Sequence, residues 1–173
     1  CRQIIRLNPK KLVLLELNEF ALYTISEELK KLNKSVKVVS LLINVQNLLR
    51  VNEVFKTFKI DTVYHAAAYK HVSLVEENIC EGVKNNVFGT YLITQAAIKN
   101  NVSSFVFISS DKAVRSTNIM GATKRLAEIC VQGLYSKYKN KNAKFAIVRF
   151  GNVLQSSGSV IPKFKKQIRE GGP

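Results

Sequence analysis

The chain has 173 residues, of which 46% are hydrophobic, so it is long enough to bury one core and too apolar for a disordered protein. Its formal net charge is +15, and the basic residues are scattered without an aromatic stacking platform between them. Solvated helix faces, an anionic small ligand or an anionic membrane surface explain this charge better than nucleic-acid binding does. No apolar run approaches the roughly 18 residues needed to span a bilayer.

Strands and helices are predicted to alternate along the chain. Short apolar runs indicate strands, and stretches with a 3.6-residue hydrophobic period indicate helices. The predicted strands are Leu12–Glu16, Val36–Leu42, Thr62–Ala67, Ser104–Ser109 and Lys144–Phe150. The predicted helices are Phe20–Leu32, Leu48–Phe58, Leu74–Lys99 with an early interruption, Asn118–Tyr138 and Val160–Glu170. Strands separated by such helices predict βαβ units around a parallel sheet.

A dinucleotide-binding fold begins with a strand and a Gly-rich turn, and neither is found in this sequence. No G-x-G-x-x-G occurs, and Cys1–Leu7 is predicted to be the remainder of the helix that follows such a turn. We therefore predict a truncated, Rossmann-like, doubly wound α/β sheet whose absent first strand belongs at its centre. Residues 1–173 are expected to form a single domain and to be a fragment of a longer protein, with the substrate-binding part beyond Pro173.

The cysteines favour a reducing, cytoplasmic compartment. Cys1, Cys80 and Cys130 are odd in number and widely spaced, so neither a disulfide framework nor a metal-ligand spacing emerges. We expect no metal site.

The most informative stretch follows the fourth predicted strand. Ser109–Lys112 places two hydroxyls, an acid and an amine at the carboxyl end of a buried strand, where open α/β sheets bind ligands. In the next helix, Met120 and Lys124 are four residues apart and share one face. A tyrosine in place of Met120 would complete the Tyr-x-x-x-Lys pair of short-chain dehydrogenases.

Several motifs match those of a known family in the same order. They are Glu16–Glu19, His65–Val72, Asn86–Thr90, Ser109–Val114 and Arg149–Leu154. On these motifs the chain resembles the extended short-chain dehydrogenase/reductases of bacterial capsule and O-antigen biosynthesis. Among them it is similar to the UDP-N-acetylglucosamine 4,6-dehydratases, in their large, membrane-anchored form with methionine at the tyrosine position. The resemblance covers essentially the whole chain, and any membrane anchor would lie in upstream segments.

The resemblance implies the NAD-dependent dehydration of a UDP-N-acetylhexosamine, UDP-GlcNAc, to a 4-keto-6-deoxy sugar nucleotide. Hydride leaves C4, a base takes the C5 proton, an acid helps the C6 hydroxyl leave as water, and hydride returns to C6. The resemblance gives Asp111 the role of the acid and Lys112 that of the base, which needs a raised pKa for Asp111 and a lowered one for Lys112. The alternative is an Asp111 that caps a turn beside a solvated Lys112.

The resemblance also assigns the neighbouring residues. Lys124 would hydrogen-bond the nicotinamide ribose, and Met120 would pack against the nicotinamide or the sugar. Because Met120 cannot accept a proton, the proton of the C4 hydroxyl falls to Ser110, Lys124 or a water, and the sequence leaves these open.

Cofactor contacts are expected at the ends of the first three predicted strands. An acid at Glu16 can accept hydrogen bonds from the adenosine ribose diol and would repel a 2′-phosphate, which favours NAD over NADP. The alternative for Glu16 is a helix cap or a surface acid. The remaining expected contacts are Asn44 and Val45 beside the adenine, where the family usually has Asp-Val, and the small residues Ala66, Ala67 and Ala68.

Substrate contacts are expected from two loops, and a homo-oligomer from the helices beside the sheet. The expected substrate contacts are Lys70, His71, Asn152 and Ser159. The expected subunit contacts are Val83–Lys99 and Gly121–Tyr138. The competing functions are a nucleotide-sugar 4-epimerase of the same fold, a non-catalytic nucleotide-sugar binder and a basic domain for nucleic acid.

Overall fold

A computed structural model describes residues 1–138, 143–151, 153 and 160–172. The strands are β1 (Lys11–Glu16), β2 (Lys37–Leu42), β3 (Thr62–His65), β4 (Ser104–Ile108) and β5 (Lys144–Val148). The α-helices are α1 (Arg2–Ile5), α2 (Glu19–Leu32), α3 (Leu48–Phe58), α4 (Val72–Glu77), α5 (Ile79–Val83), α6 (Gly89–Lys99), α7 (Ile119–Tyr138) and α8 (Val160–Arg169). A π-helical segment, Lys84–Phe88, joins α5 to α6, and a 3-10 turn, Asp111–Ala113, lies between β4 and α7.

The strand pairs are parallel, as the alternation of strands and helices predicts, but they form two sheets instead of one. β1 pairs with β2, while β3, β4 and β5 pair in that order. Within the described residues, no ladder of hydrogen bonds joins β1 to β3. The predicted order puts the absent first strand between these two. The two sheets therefore agree with the predicted truncated, doubly wound fold.

Helices cover both faces of the strands, which confirms the doubly wound α/β class. Alternate residues of β1 enter different clusters: Leu12 and Leu14 pack with α1 and α2, whereas Val13 and Leu15 pack on the opposite side. The opposite cluster is the larger one and joins α3, α6 and α7 to the buried β4 ring of Phe105 and its neighbours. Of the described helices, none is both long enough and apolar enough to cross a membrane.

Most predicted boundaries hold to within one or two residues. β3 ends at His65 and β5 at Val148, two residues earlier than predicted in each case. The predicted Leu74–Lys99 helix is interrupted at Asn78, where α4 ends and α5 begins. Asparagine side chains fix several helix starts by accepting a backbone N–H in the first turn, as N-cap residues do. These caps are Asn18 on α2, Asn47 on α3 and Asn118 on α7.

The first turn of α7 lies unusually close to the 3-10 turn after β4. A Cβ atom at Gly121 would stand 2.1 Å from the carbonyl oxygen of Lys112, a distance that no side chain tolerates. Gly121 is therefore required by the approach of two backbones. This approach places the start of α7 directly beside Asp111 and Lys112.

We predict that Gly121→Ala destabilises the protein by about 2 kcal/mol or more, because the added methyl must push α7 away from Lys112. Gly133→Ala in the same helix is the matched control. A Cβ at Gly133 would meet nothing within 4 Å, so alanine there should stabilise by about 0.5–1 kcal/mol through helix propensity. Urea unfolding of both variants checks the difference. Equal stabilities would contradict the close approach of the two backbones.

Candidate active site

The carboxyl ends of β4 and β5 and the start of α7 bring the predicted catalytic residues together. Soon after β4 ends at Ile108, Ser110 caps the 3-10 turn that contains Asp111 and Lys112. The Asp111 N–H donates to the carbonyl of Phe150 at 3.1 Å, so the turn is attached to the chain leaving β5. The predicted acid and base thus lie at the edge of the sheet where ligands bind in such folds.

Asp111 and Lys112 form an ion pair that is open to solvent. Lys112 Nζ lies 3.3 Å from Asp111 Oδ1, and the two side chains are 37% and 55% exposed, respectively. The Ser110 hydroxyl donates to the same Asp111 oxygen at 3.0 Å and accepts from the Lys112 N–H at 3.2 Å. The absence of a side chain at Gly151 leaves room beside the other Asp111 oxygen. Acid, base and hydroxyl therefore form one connected group.

The expected pKa of Asp111 requires a correction. The hydrogen bond from Ser110, followed by that from Lys112, holds the pKa of Asp111 below its usual value. The expectation of a raised pKa is wrong for this geometry, because the carboxylate is exposed and its neighbours donate to its charged form. The pKa of Asp111 would rise only if a bound molecule covered the turn and buried the carboxylate.

Lys124 is buried behind this turn. Its ammonium donates to the carbonyl of Ile108, the last residue of β4, at 2.7 Å and lies 4.2 Å from the centre of the Phe107 ring. Burial lowers the pKa of Lys124 from 10.5 to about 8, although the negative charge of Glu128 acts in the opposite direction. At neutral pH the amine is therefore mostly protonated and holds a positive charge at the end of the central strand of the second sheet.

Met120 is also buried, one helical turn before Lys124. Its carbonyl accepts a hydrogen bond from the Thr123 hydroxyl at 2.7 Å. The packing of the Met120 side chain against a nicotinamide or a sugar stays a prediction.

The loop after β3 is held at the same edge by Asn86. The Asn86 side chain is fully buried, accepts from the Tyr69 N–H at 2.7 Å, and donates to the Tyr69 carbonyl and the Thr123 hydroxyl, each at 3.0 Å. It lies in the π-helical segment, a local geometry that is frequent at functional sites. Asn86 therefore anchors the loop that carries the predicted contacts of β3.

The predicted contact residues on the loop after β3 differ in how exposed their side chains are. Ala66 is exposed, Ala67 and Ala68 are half-buried, and Ala67 packs against the main core. Lys70 and His71 are exposed at the surface of the same loop. The remaining predicted substrate contacts, Asn152 and Ser159, lie outside the described residues.

The predicted adenosine contacts lie at the end of the other sheet. Glu16 closes β1, and its carboxylate accepts from the N–H groups of Leu17 and Asn18 at 2.8 and 2.9 Å. The Asn44 side chain similarly accepts from the Gln46 N–H at 2.9 Å. Val45 is a core residue, and its side chain contacts α6. Glu16 and Asn44 thus sit at the expected edge, whereas the side chain of Val45 faces inward.

Sequence reasoning missed two buried polar groups. His65, the last residue of β3, is buried, stacks on Phe107 with ring centres 5.5 Å apart, and shares a 2.9 Å hydrogen bond with Thr90. Glu128 is fully buried on α7 and binds Arg149 and Ser109. The signal for Glu128 was its position four residues after Lys124 on the inward face of the helix.

A family described as polysaccharide biosynthesis protein matches residues 1–173. The chain belongs to this family. Over its full length it is 48% identical to the capsular polysaccharide biosynthesis protein CapD of Staphylococcus aureus, of which it covers 29%. Over 65% of its length it is 40% identical to a UDP-N-acetylglucosamine 4,6-dehydratase (inverting) of Campylobacter jejuni, of which it covers 34%. It is also 40% identical, over 65% of its length, to a UDP-glucose 4-epimerase of Rickettsia canadensis.

Among solved structures, the chain resembles Pen from Bacillus thuringiensis, with a TM-score of 0.86 and 36% sequence identity. The match covers 98% of this chain and 50% of Pen. It confirms the predicted Rossmann-like fold, and the family confirms the resemblance inferred from the motifs. The chain thus spans about a third of the curated relatives and half of this structure.

We predict that His65 makes the protein less stable in acid. Burial, assisted by the charge of Lys124, lowers the pKa of His65 from 6.5 to about 3. As the pH falls below 6.5, this imidazole binds a proton in the unfolded chain but not in the folded chain, so the free energy of unfolding decreases. Between pH 7 and pH 5 this loss should be about 2 kcal/mol.

Urea unfolding at both pH values checks this, with His65→Gln expected to lose less stability than the unchanged protein. His71→Gln is the control, because His71 is exposed and its removal should leave the pH dependence as it was. The same loss in His65→Gln would show that another group is responsible.

Proposed function

We propose that residues 1–173 are part of an NAD-binding catalytic domain, which in the complete protein dehydrates a UDP-N-acetylhexosamine, UDP-GlcNAc, to its 4-keto-6-deoxy form for surface polysaccharide synthesis. The observation that carries the proposal is the 3.3 Å contact between Lys112 and Asp111 at the end of β4. Elimination of water across C5 and C6 needs a base and an acid side by side, whereas 4-epimerisation needs a proton acceptor at the C4 hydroxyl and no such pair at C5 and C6. Because a UDP-glucose 4-epimerase is among the similar proteins, sequence identity alone does not distinguish the two reactions.

The edge of the sheets fits a nicotinamide dinucleotide. A carboxylate at Glu16 ends β1, small residues follow β3, and the Lys124 amine lies at the end of β4. Bound along this edge, NAD⁺ would take hydride from C4 of the sugar and return it at C6. The charge of Glu16 supports NAD over NADP because it opposes a 2′-phosphate.

Lys112 and Asp111 divide the elimination between them. Neutral Lys112 takes the C5 proton, and protonated Asp111 gives its proton to the C6 hydroxyl, which leaves as water. The step ends with Asp111 anionic and Lys112 cationic, which is the ion pair seen at 3.3 Å. The reactive form differs from this pair at two protons: Lys112 has released its own to solvent, and Asp111 has received that of the C4 hydroxyl as C4 is oxidised. A bound sugar would favour the release from Lys112, because excluding water penalises the charged pair.

The proton of the C4 hydroxyl completes the balance. Once Lys112 has returned its proton to C5, Asp111 is anionic and Lys112 is neutral, so Asp111 must receive the C4 hydroxyl proton of the next sugar before it can act as the acid. Ser110 is placed to pass that proton on, since its hydroxyl donates to Asp111 Oδ1 at 3.0 Å. We therefore assign Ser110 the transfer of the C4 hydroxyl proton to Asp111, the transfer that Met120 has no group to perform.

The rest of the sugar nucleotide would extend across the same edge. Lys70 and His71 lie on the exposed loop after β3, where a cation and an imidazole suit a diphosphate. Asn152 and Ser159 follow β5 in sequence and are proposed as further contacts of the nucleotide and the sugar.

We predict that Lys112→Ala and Asp111→Asn stop the reaction at different steps. The complete gene product is incubated with UDP-GlcNAc in deuterated water and followed by NMR. Lys112→Ala should incorporate no deuterium at C5. Asp111→Asn should lower the formation of the C6 methyl group at least about 100-fold, the usual effect of removing a general acid.

The matched control is Lys84→Ala, because Lys84 is an exposed lysine paired with a carboxylate, Glu81, at 2.7 Å. It should turn over normally. A C6 methyl group formed at the normal rate by either site variant would contradict the assignment. A C4 epimer in place of the 6-deoxy sugar would select the epimerase.

A homo-oligomer is the second part of this proposal. The π-helical segment, α6 and α7 expose a group of large apolar side chains that a subunit contact would cover. They are Phe88, Tyr91, Leu126 and Ile129.

We predict that Leu126→Lys weakens self-association, because it places a charge within the proposed contact. Leu49→Lys is the matched control. Leu49 is 84% exposed on α3, against 46% for Leu126 on α7, so the control adds the same charge outside the contact. Size-exclusion chromatography with light scattering measures the mass of each protein. Equal masses for both variants would contradict a contact through α7.

A further inference from the structure

Glu128 is the most fully bonded carboxylate of the described residues. It has no exposed surface, yet it lies on α7 only one turn after Lys124. Arg149 holds it with two bonds, from Nε at 2.8 Å to one oxygen and from Nη2 at 2.6 Å to the other. The Ser109 hydroxyl donates at 2.6 Å and Arg125 Nη1 at 2.9 Å. These donors hold the pKa of Glu128 at about 2, although burial opposes ionisation.

The partners of Glu128 are the residues next to the catalytic turn. Ser109 immediately precedes Ser110, and Arg149 immediately precedes Phe150, whose carbonyl holds the Asp111 N–H at 3.1 Å. The Ser109 N–H also donates to the last residue of β5 at 2.7 Å. The Glu128 carboxylate on α7 therefore connects the chain leaving β4, which carries Asp111, with the chain leaving β5, which accepts the Asp111 N–H.

We propose that Glu128 is a positioning residue, which fixes the ends of β4 and β5 against α7 and sets the charge state of the Lys124 amine. The first part follows from its bonds to three elements. The second follows from its place one helical turn from a buried amine. The consequence for turnover rests on the proposed function, whereas the effect on Lys124 does not.

The charges around Lys124 determine the sign of the effect. Glu128 on α7 favours the protonated amine, while burial disfavours it, and the pKa of Lys124 is about 8. Arg149, which follows β5, and Arg125 on α7 offset part of the Glu128 charge. His65 on β3 is uncharged at neutral pH. Loss of the Glu128 charge should therefore lower the pKa of Lys124, and loss of the Arg149 charge should raise it.

A merely structural Glu128 would change stability and leave the titration of Lys124 alone. The test uses the complete gene product labelled with [13Cε]lysine, in which the Lys124 signal is assigned by its loss in Lys124→Arg. Glu128→Gln should lower the titration midpoint of Lys124 by about one pH unit or more. Glu53→Gln is the control, since Glu53 is an exposed carboxylate paired with Arg50 on α3, and it should leave the midpoint unchanged.

Arg149→Gln provides the opposite sign and serves where Glu128→Gln does not fold. It should raise the Lys124 midpoint, because it removes a positive charge while Glu128 remains. A Glu128→Gln midpoint equal to that of Glu53→Gln would overturn the proposal, even where the melting temperature falls. An Arg149→Gln midpoint that stays or falls would also overturn it.

Turnover separates this proposal from the proposed function. In Glu128→Gln, kcat should fall about 10- to 100-fold with little change in KM, as a displaced catalytic group produces. The basic limb of the pH profile should move to lower pH, because Lys124 loses its charge earlier. Absence of dehydration in the unchanged protein would overturn the proposed reaction, while the shifted Lys124 midpoint would still support the role of Glu128.

Discussion

The contact between the backbone of α7 and the Lys112 carbonyl is the constraint on which the site depends. It exists because Gly121 has no side chain to keep the two backbones apart. Asn118 supports it by capping the first turn of α7 with a 2.8 Å bond to the Gly121 N–H. One helix therefore carries the buried amine of Lys124 and also touches the turn that carries the proposed acid and base. The turn is thus held against a rigid element of the fold.

Burial divides the charged groups of the site into two layers. Asp111 and Lys112 face solvent, where water stabilises both charges and where a substrate can displace that water. Lys124 and Glu128 lie behind them and are buried, with Lys124 bonded to the Ile108 carbonyl and Glu128 bonded to Ser109, Arg125 and Arg149. Charges held in this way need little rearrangement to act on the groups in front of them. The outer layer keeps the freedom to exchange a proton, which an elimination requires.

The sequence predicted most of the secondary structure because buried parallel strands are continuous apolar runs and the helices between them are periodic. It also predicted that Ser110, Asp111 and Lys112 follow the carboxyl end of β4. The direction of the Asp111 pKa could not be predicted, since it depends on exposure and on donors fixed by tertiary structure. For Glu128, the shared helix face with Lys124 indicates burial, but its partner Arg149 is 21 residues away, and pairing across elements leaves no local pattern.

Met120 determines where the proposed reaction must find a hydroxyl. A thioether one helical turn before Lys124 is apolar and offers no strong acceptor. The Lys124 ammonium donates to the Ile108 carbonyl at 2.7 Å, and an amine that is protonated at neutral pH is a poor base for a sugar hydroxyl. The Ser110 hydroxyl donates to Asp111, so in the proposed reaction it would join proton removal at C4 to proton donation at C6. With a thioether at position 120, Asp111 would regain its proton through the turn after β4 rather than through α7.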